Sequence, residues 1–156
     1  MRFDLISPGG EPWRRVLEEV DHDVYHLPQY CALEADYIGG VPVAFYAEDE
    51  GNRQFLLPMV LRPVPGTLTS GPLYDAVSPY GYPGPLIRCA EPDKEAFTVA
   101  ALTGMMKSLA EKGVIALFAR FHPTLEVPLQ PFRSLGVVVQ NGESVSMDLS
   151  LSDEAA

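Results

Sequence analysis

Apolar positions recur along this chain at two spacings, one helical and one strand-like. Over residues 11–20, Trp13, Val16, Leu17 and Val20 fall three or four apart behind Pro12. That is the pattern of a short amphipathic helix with proline in its first turn. A second helix is expected from Pro28 to about Asp36, with Tyr30, Leu33 and Tyr37 on one side. After Gly39-Gly40, read as a turn, two apolar runs, Val41–Glu48 and Arg53–Arg62, flank Asp49-Glu50-Gly51-Asn52. Two such runs around a turn predict an antiparallel hairpin, with Pro58 marking a bulge or a sheet edge. A long helix is expected from Glu91 to about Lys112, with Phe97, Ala101, Leu102, Met105, Met106 and Leu109 as its core stripe and Gly113 as its cap. Val114–Arg120 reads as a buried strand, broken by His122-Pro123. A loop or short helix then runs to Gly136, followed by strands at Val137–Gln140 and Ser144–Leu149 around Asn141-Gly142-Glu143.

Between the hairpin and the long helix lies the most unusual segment, Tyr74 to Pro85. It packs three prolines, two glycines and three tyrosines into twelve residues. Proline fixes φ and removes a donor, while glycine permits positive φ or close backbone approach. The segment is therefore expected to be a rigid loop presenting phenol rings at set angles, suited to amphipathic or sugar-like groups. The elements together predict an α/β domain with a mixed, largely antiparallel sheet flanked by helices. A single domain is expected over residues 1–150, with 151–156 as a tail.

Composition narrows the function. With 21 acidic against 11 basic residues the net charge is −10, and the basic residues are scattered. Nucleic acid is disfavoured as a partner, since phosphate binding rests on clustered Lys and Arg. A neutral sugar, a peptide or a basic protein remains compatible. No apolar run reaches ~18 residues, the minimum for a membrane span, and the first residues lack the apolar core of a signal peptide. The cytoplasm is the expected location. Cys31 and Cys89 sit in no metal or redox spacing and are read as reduced, packed thiols.

Several groupings supply residue types used in chemistry. No GxGxxG or Walker A pattern is present. His22 and His26, four apart beside Asp21 and Asp23, would share a helix face, but the stretch lies between two helices. A solvated loop is expected there, and no metal. Ser78, Asp75 and His122 supply the residue types of a hydrolase triad. However, no Gly-x-Ser-x-Gly elbow exists, and Pro79 removes an N–H that could line an oxyanion hole. Arg120 and His122 end the predicted central strand, where ligand groups gather in α/β domains. Two readings stay open: Arg120 pairs with a carboxylate such as Asp75, or Arg120 or His122 contacts substrate. Tyr80 and Tyr82 likewise either pack on the core or line a cleft.

The stretch Asp75-Ala-Val-Ser-Pro-Tyr-Gly-Tyr82 resembles the Asp-x-x-Ser-Pro-Tyr-Gly-Tyr-Gly-Gly-Pro signature in the N-terminal half of FemAB-like proteins, of the GNAT (N-acetyltransferase-like) superfamily. Four further segments are similar to that family in the same order: Asp23–Tyr30, Phe55–Arg62, Phe118–Pro123 and Ser144–Leu149. Pro83 departs from the signature's glycine. The resemblance implies a GNAT-like fold and the N-terminal half of an acyl- or aminoacyl-transferase acting on a cell-envelope or glycan precursor such as peptidoglycan. It implies that this half orients the acceptor through Tyr80, Tyr82, Arg120 and His122, with Ser78, Asp75 and Tyr30 as further site residues and no catalytic residue assigned. The family's donor site is associated mainly with a second GNAT-like half, for which a second copy of this chain could substitute. The nearest approach to a pyrophosphate-binding turn, Arg133–Val138, ends in valine before a predicted strand. Acyl-CoA or an aminoacyl donor is therefore expected only in a complete protein, not on this chain alone. The rival reading is a non-catalytic ligand- or partner-binding module.

Overall fold

The computed structural model describes residues 1–66, 71–145 and 147. Their order is β1 (Arg2–Ile6), α1 (Glu11–Glu19), a 3₁₀ turn (Val24–His26), α2 (Pro28–Ile38), β2 (Val41–Glu48) and β3 (Gln54–Pro63). There follow β4 (Tyr74–Val77), β5 (Leu86–Arg88), α3 (Lys94–Glu111), β6 (Val114–Phe118) and α4 (Leu129–Leu135). Among the described residues the strands form one six-stranded sheet in the order β1-β2-β3-β4-β6, with β5 also paired to β3. All pairings are antiparallel except β4 with β6. This is the mixed, largely antiparallel α/β arrangement that the hydrophobic pattern predicts.

The near-continuous apolar runs of β2 and β3 are explained by burial on both faces of the sheet. Phe45 and Ala47 of β2 and Phe55, Leu57 and Met59 of β3 pack with Phe97, Ala101, Leu102, Met105 and Leu109 of α3. Their alternate neighbours, Ala44, Tyr46, Leu56 and Val60, pack with Trp13 and Val16 of α1 and Cys31 and Ala35 of α2. The period of two along each strand thus divides one run between two cores. Met106, expected in the α3 stripe, faces outward instead, as do Leu33 and Tyr37 of α2.

Pro58 makes neither a bulge nor an edge. The β2–β3 register runs unbroken through Ala44↔Pro58. On its other side β3 pairs with β5 up to Leu56 and with β4 from Val60. Residue 58 falls in the interval where β3 changes partner, so no ladder there asks for its missing N–H.

Four expectations change. Tyr74–Val77, assigned to the loop, is a strand between β3 and β6, because the breakers begin only at Pro79. β1 and β5 are not among the expected elements: the alternation of β1 lasts only from Arg2 to Leu5, and the three residues of β5 are too few to show a period. The strand after α3 is shorter than expected and is not buried: Ile115 is 61% and Phe118 51% exposed. Among the described residues it is paired on one side only. Residues 137–140 carry no ladder, and 144, 145 and 147 none either. The rest of the expected last strand, like the 151–156 tail, lies outside the described residues.

The α2–β2 connection turns on two glycines with different duties. Gly39 closes α2 in the left-handed conformation, φ 72°. Gly40 donates to the Ala35 carbonyl (2.9 Å), and a β-carbon there would lie 2.9 Å from the Leu61 carbonyl oxygen and run into the Val60 side chain. Gly40→Ala should therefore cost about 1–3 kcal/mol through overpacking against a central strand. Gly39→Ala, which meets open space, should cost only about 1 kcal/mol of backbone strain. Denaturant unfolding of both variants checks this; equal losses would contradict the packing argument.

Candidate functional site

The prolines and glycines after β4 fold the chain back onto the end of β6, and backbone groups do the fastening. Ser78 N–H donates to the Phe118 carbonyl (2.8 Å), and Gly84 N–H donates to the Arg120 carbonyl (2.8 Å). Arg120 N–H donates in return to Ser78 Oγ (3.2 Å). Ser78 is buried and its hydroxyl is part of this clamp. Gly84 has φ 54°, and a side chain there would press on the backbone of Phe121 and His122. Between the clamp points the loop carries Tyr80 and Tyr82, which stand 68% and 47% exposed.

An aromatic group from the other face of the chain meets this loop. The Tyr25 ring lies edge-on to Tyr30 (centroids 5.5 Å) and to Tyr82 (6.3 Å). The Tyr30 hydroxyl donates to the Tyr80 carbonyl (3.2 Å). Gly81, at φ 91°, gives the Tyr25 ring its seat, since any β-carbon at 81 would collide with it. On the opposite flank the Arg120 guanidinium lies 5.6 Å from the Tyr80 ring centroid and 5.0 Å from that of Phe118. These are cation–π distances.

His26 and His122 form a pair of rings 6.0 Å apart between centroids. His122 Nδ1 accepts from the Thr124 N–H (3.3 Å), so its Nε2–H donates to Asp23 Oδ2 (3.2 Å). Burial alone pushes the Asp23 carboxyl up. The hydrogen bond from His122 and that from the Val24 N–H outweigh it, and Asp23 ends below the usual carboxylate range. His26 is fully buried. Its Nδ1 accepts from the Asp23 N–H (3.1 Å), which leaves the proton of the neutral ring on Nε2. That atom has no hydrogen-bond partner among the described residues. Trp13 Nε1–H caps the His26 carbonyl (2.9 Å) and ties this turn to α1. Desolvation lowers the His26 pKa to about 4. The stretch expected to be a solvated loop is thus a packed, capped turn.

The structure brings together Tyr30, Ser78, Tyr80, Tyr82, Arg120 and His122, and leaves Asp75 apart. Asp75 binds Arg62 of β3 through two hydrogen bonds (2.9 and 2.6 Å), so the Asp75–Arg120 pair, one of the two readings left open, does not form. Register explains why. Asp75 lies opposite Ala116 on β6, four residues short of Arg120, or about 13 Å along an extended chain. The same separation keeps Ser78, Asp75 and His122 from assembling as a triad, since each has a different partner. Beside Asp75 lies an open depression of about 340 Å³ lined by Arg62, Ile38, Gly39 and Val64; none of the tyrosines, Arg120 or His122 lines it. Among the described residues no three His, Cys, Asp or Glu side chains converge to hold a metal.

Tyr25, Asp23 and Phe118 join these residues without having been expected as site residues. Tyr25 had one usable signal: a glycine between two tyrosines in a proline-rich loop implies that something large approaches its backbone. Cys31 and Cys89 are both free, and burial raises the Cys31 thiol to about 12. No helix in the described residues is long and apolar enough to cross a membrane. Comparison with protein-family models, curated proteins and solved structures finds no match to this chain.

Two outcomes follow from this geometry. His26 titrates at about 6.5 when unfolded but at about 4 when folded. As pH falls below 6.5 the unfolded chain takes up the proton first. Stability present above pH 6.5 is lost progressively toward pH 4, by about 3 kcal/mol in total. Denaturant titrations across that window should show the slope, and His26→Gln should flatten it. Gly81→Ala should destabilise wild type by more than it destabilises the Tyr25→Ala variant, because part of its cost is the collision with that ring. A double-mutant cycle reads the difference, and additive losses would refute the contact.

Proposed function

We propose that this chain is the acceptor-orienting half of an acyl- or aminoacyl-transferase acting on a cell-envelope or glycan precursor, and is inactive alone. The observation that carries the reading is the gathering of Tyr30, Tyr80, Tyr82 and Arg120 on one surface at the carboxyl ends of β4 and β6. This is the parallel pair of the sheet, and ligand groups collect at such strand ends. Phenol rings with hydroxyl tips offer stacking faces and hydrogen bonds to a sugar or amide. The order of helices and strands, with two helices between β1 and β2 and one between β4 and β6, suits the GNAT-like fold implied by the sequence resemblance.

In this reading an acceptor amine or hydroxyl attacks a thioester or ester carbonyl held by a second GNAT-like half or a second copy of the chain. An amide or ester bond forms, the C–S or C–O bond to the donor breaks, and the donor leaves as its thiol or alcohol carrying the proton the acceptor gives up. The residues here bind and orient the acceptor. Ser78 and His122 have structural partners, which supports assigning them to positioning rather than to proton transfer. The donor's pyrophosphate finds no cradle at Arg133–Val138. Those residues span the C-terminal end of α4, and Gly136 is extended there, whereas anions are held at helix N-termini. A non-catalytic binding module is the second reading, favoured by the engagement of both Ser78 and His122.

Thermal-shift titration separates these ideas. A muramoyl dipeptide should raise the melting temperature in a saturable way, and acetyl-CoA should not. Tyr80→Ala combined with Tyr82→Ala should weaken the muramoyl response at least tenfold, about 1.4 kcal/mol. Stabilisation by acetyl-CoA would contradict the assignment of the donor to another half. Muramoyl binding without acyl transfer in any pairing with a second half would favour the binding module.

A further inference from the structure

Arginine partners in this chain divide unevenly. Six of the eight arginines, at positions 2, 14, 15, 53, 62 and 88, have a carboxylate oxygen within 3.9 Å. Of the other two, Arg133 is exposed in the last turn of α4. Arg120 is partly buried, yet has no carboxylate partner among the described residues. Its guanidinium donates no hydrogen bond there either. In a protein with 21 acidic residues and a net charge of −10, this isolation is not a shortage of carboxylates.

What holds Arg120 is its own backbone and two rings. Its N–H and carbonyl are fixed by Ser78 and Gly84, and its guanidinium lies against Tyr80 and Phe118. Aromatic faces stabilise the cation and orient its plane without consuming its N–H groups. Among the described residues the fork is left with donors to spare, a geometry that matches two oxygens of a carboxylate or a phosphate.

We propose that Arg120 is an oxyanion-recognition residue, and that the ligand of this surface carries a carboxylate or phosphate beside the group that stacks on Tyr80 and Tyr82. This deepens the acceptor reading and rests on it for the word acceptor; the anion site itself stands on the geometry alone. The acceptor is then an anionic precursor rather than a neutral glycan. Arg120→Lys keeps the charge but loses the fork and the stacking plane, so it is not a conservative change.

The test follows the Arg120 side-chain Nε–H resonance of the ¹⁵N-labelled chain. Sodium acetate, sodium phosphate and sodium chloride are titrated separately at constant ionic strength. A saturable shift is expected with acetate or phosphate and none with chloride. The stronger of the two identifies the anion's source. Arg120→Gln should abolish the matching shifts of Tyr80 and Tyr82 amides, and Arg120→Lys should weaken binding at least tenfold. No saturable response to either oxyanion, an equal response to chloride, or amide shifts unchanged in Arg120→Gln would overturn the proposal. The outcomes are distinguishable from those of the acceptor reading. Transfer to a neutral saccharide with no oxyanion response removes this inference alone. Oxyanion binding without muramoyl binding or transfer removes the acceptor reading alone.

Discussion

The parallel pairing of β4 with β6 is the constraint on which the site depends. Two strands running the same way deliver their following segments to the same end of the sheet. The residues after Val77 and those after Phe118 therefore emerge side by side. Three backbone-anchored hydrogen bonds, at Ser78, Gly84 and Arg120, convert that adjacency into a fixed loop. Antiparallel pairing would have sent the tyrosines and the arginine to opposite ends. The long crossover through α3 is what permits the parallel arrangement, and α3 is held by the larger of the two cores.

The other half of the site comes from the first turn of packing rather than from the sheet. Trp13 of α1 fixes the His26 carbonyl, His26 fixes the Asp23 backbone, and Asp23 reaches across to His122. This chain of contacts joins the region before α2 to the segment after β6, nearly one hundred residues apart. Tyr25 rides on the same turn and meets Gly81. The surface formed by Tyr30, Tyr80 and Tyr82 is accordingly braced from two sides, although Tyr80 and Tyr82 remain exposed.

Much of this was legible in the residue pattern. The hairpin of β2 and β3 announced itself through two apolar runs and a polar turn, and α1, α2 and α3 through their spacing. The same runs concealed that Pro58 sits in a central strand, because the pattern does not show where a strand exchanges partners. β4 was hidden by the breakers that follow it. The Asp75–Arg120 pair failed for a reason no linear reading supplies: the register that sets Asp75 against Arg62 also carries Arg120 four residues away. Tyr25 and Asp23 fall in a stretch expected to be a solvated loop, whereas His26 is buried there and Trp13 hydrogen-bonds its carbonyl, a long-range contact that the linear pattern does not show.

The end strands of the β1-β2-β3-β4-β6 path are unlike each other. β1 carries Arg2 and Asp4, charges that discourage a foreign strand from joining it. β6, Val-Ile-Ala-Leu-Phe, carries none, and Ile115 and Phe118 face outward. Among the described residues β6 is therefore an uncharged strand paired on one side only, the kind of seam that strand addition uses. That seam stops two residues before Arg120, so an addition there would build alongside the phenol-bearing loop.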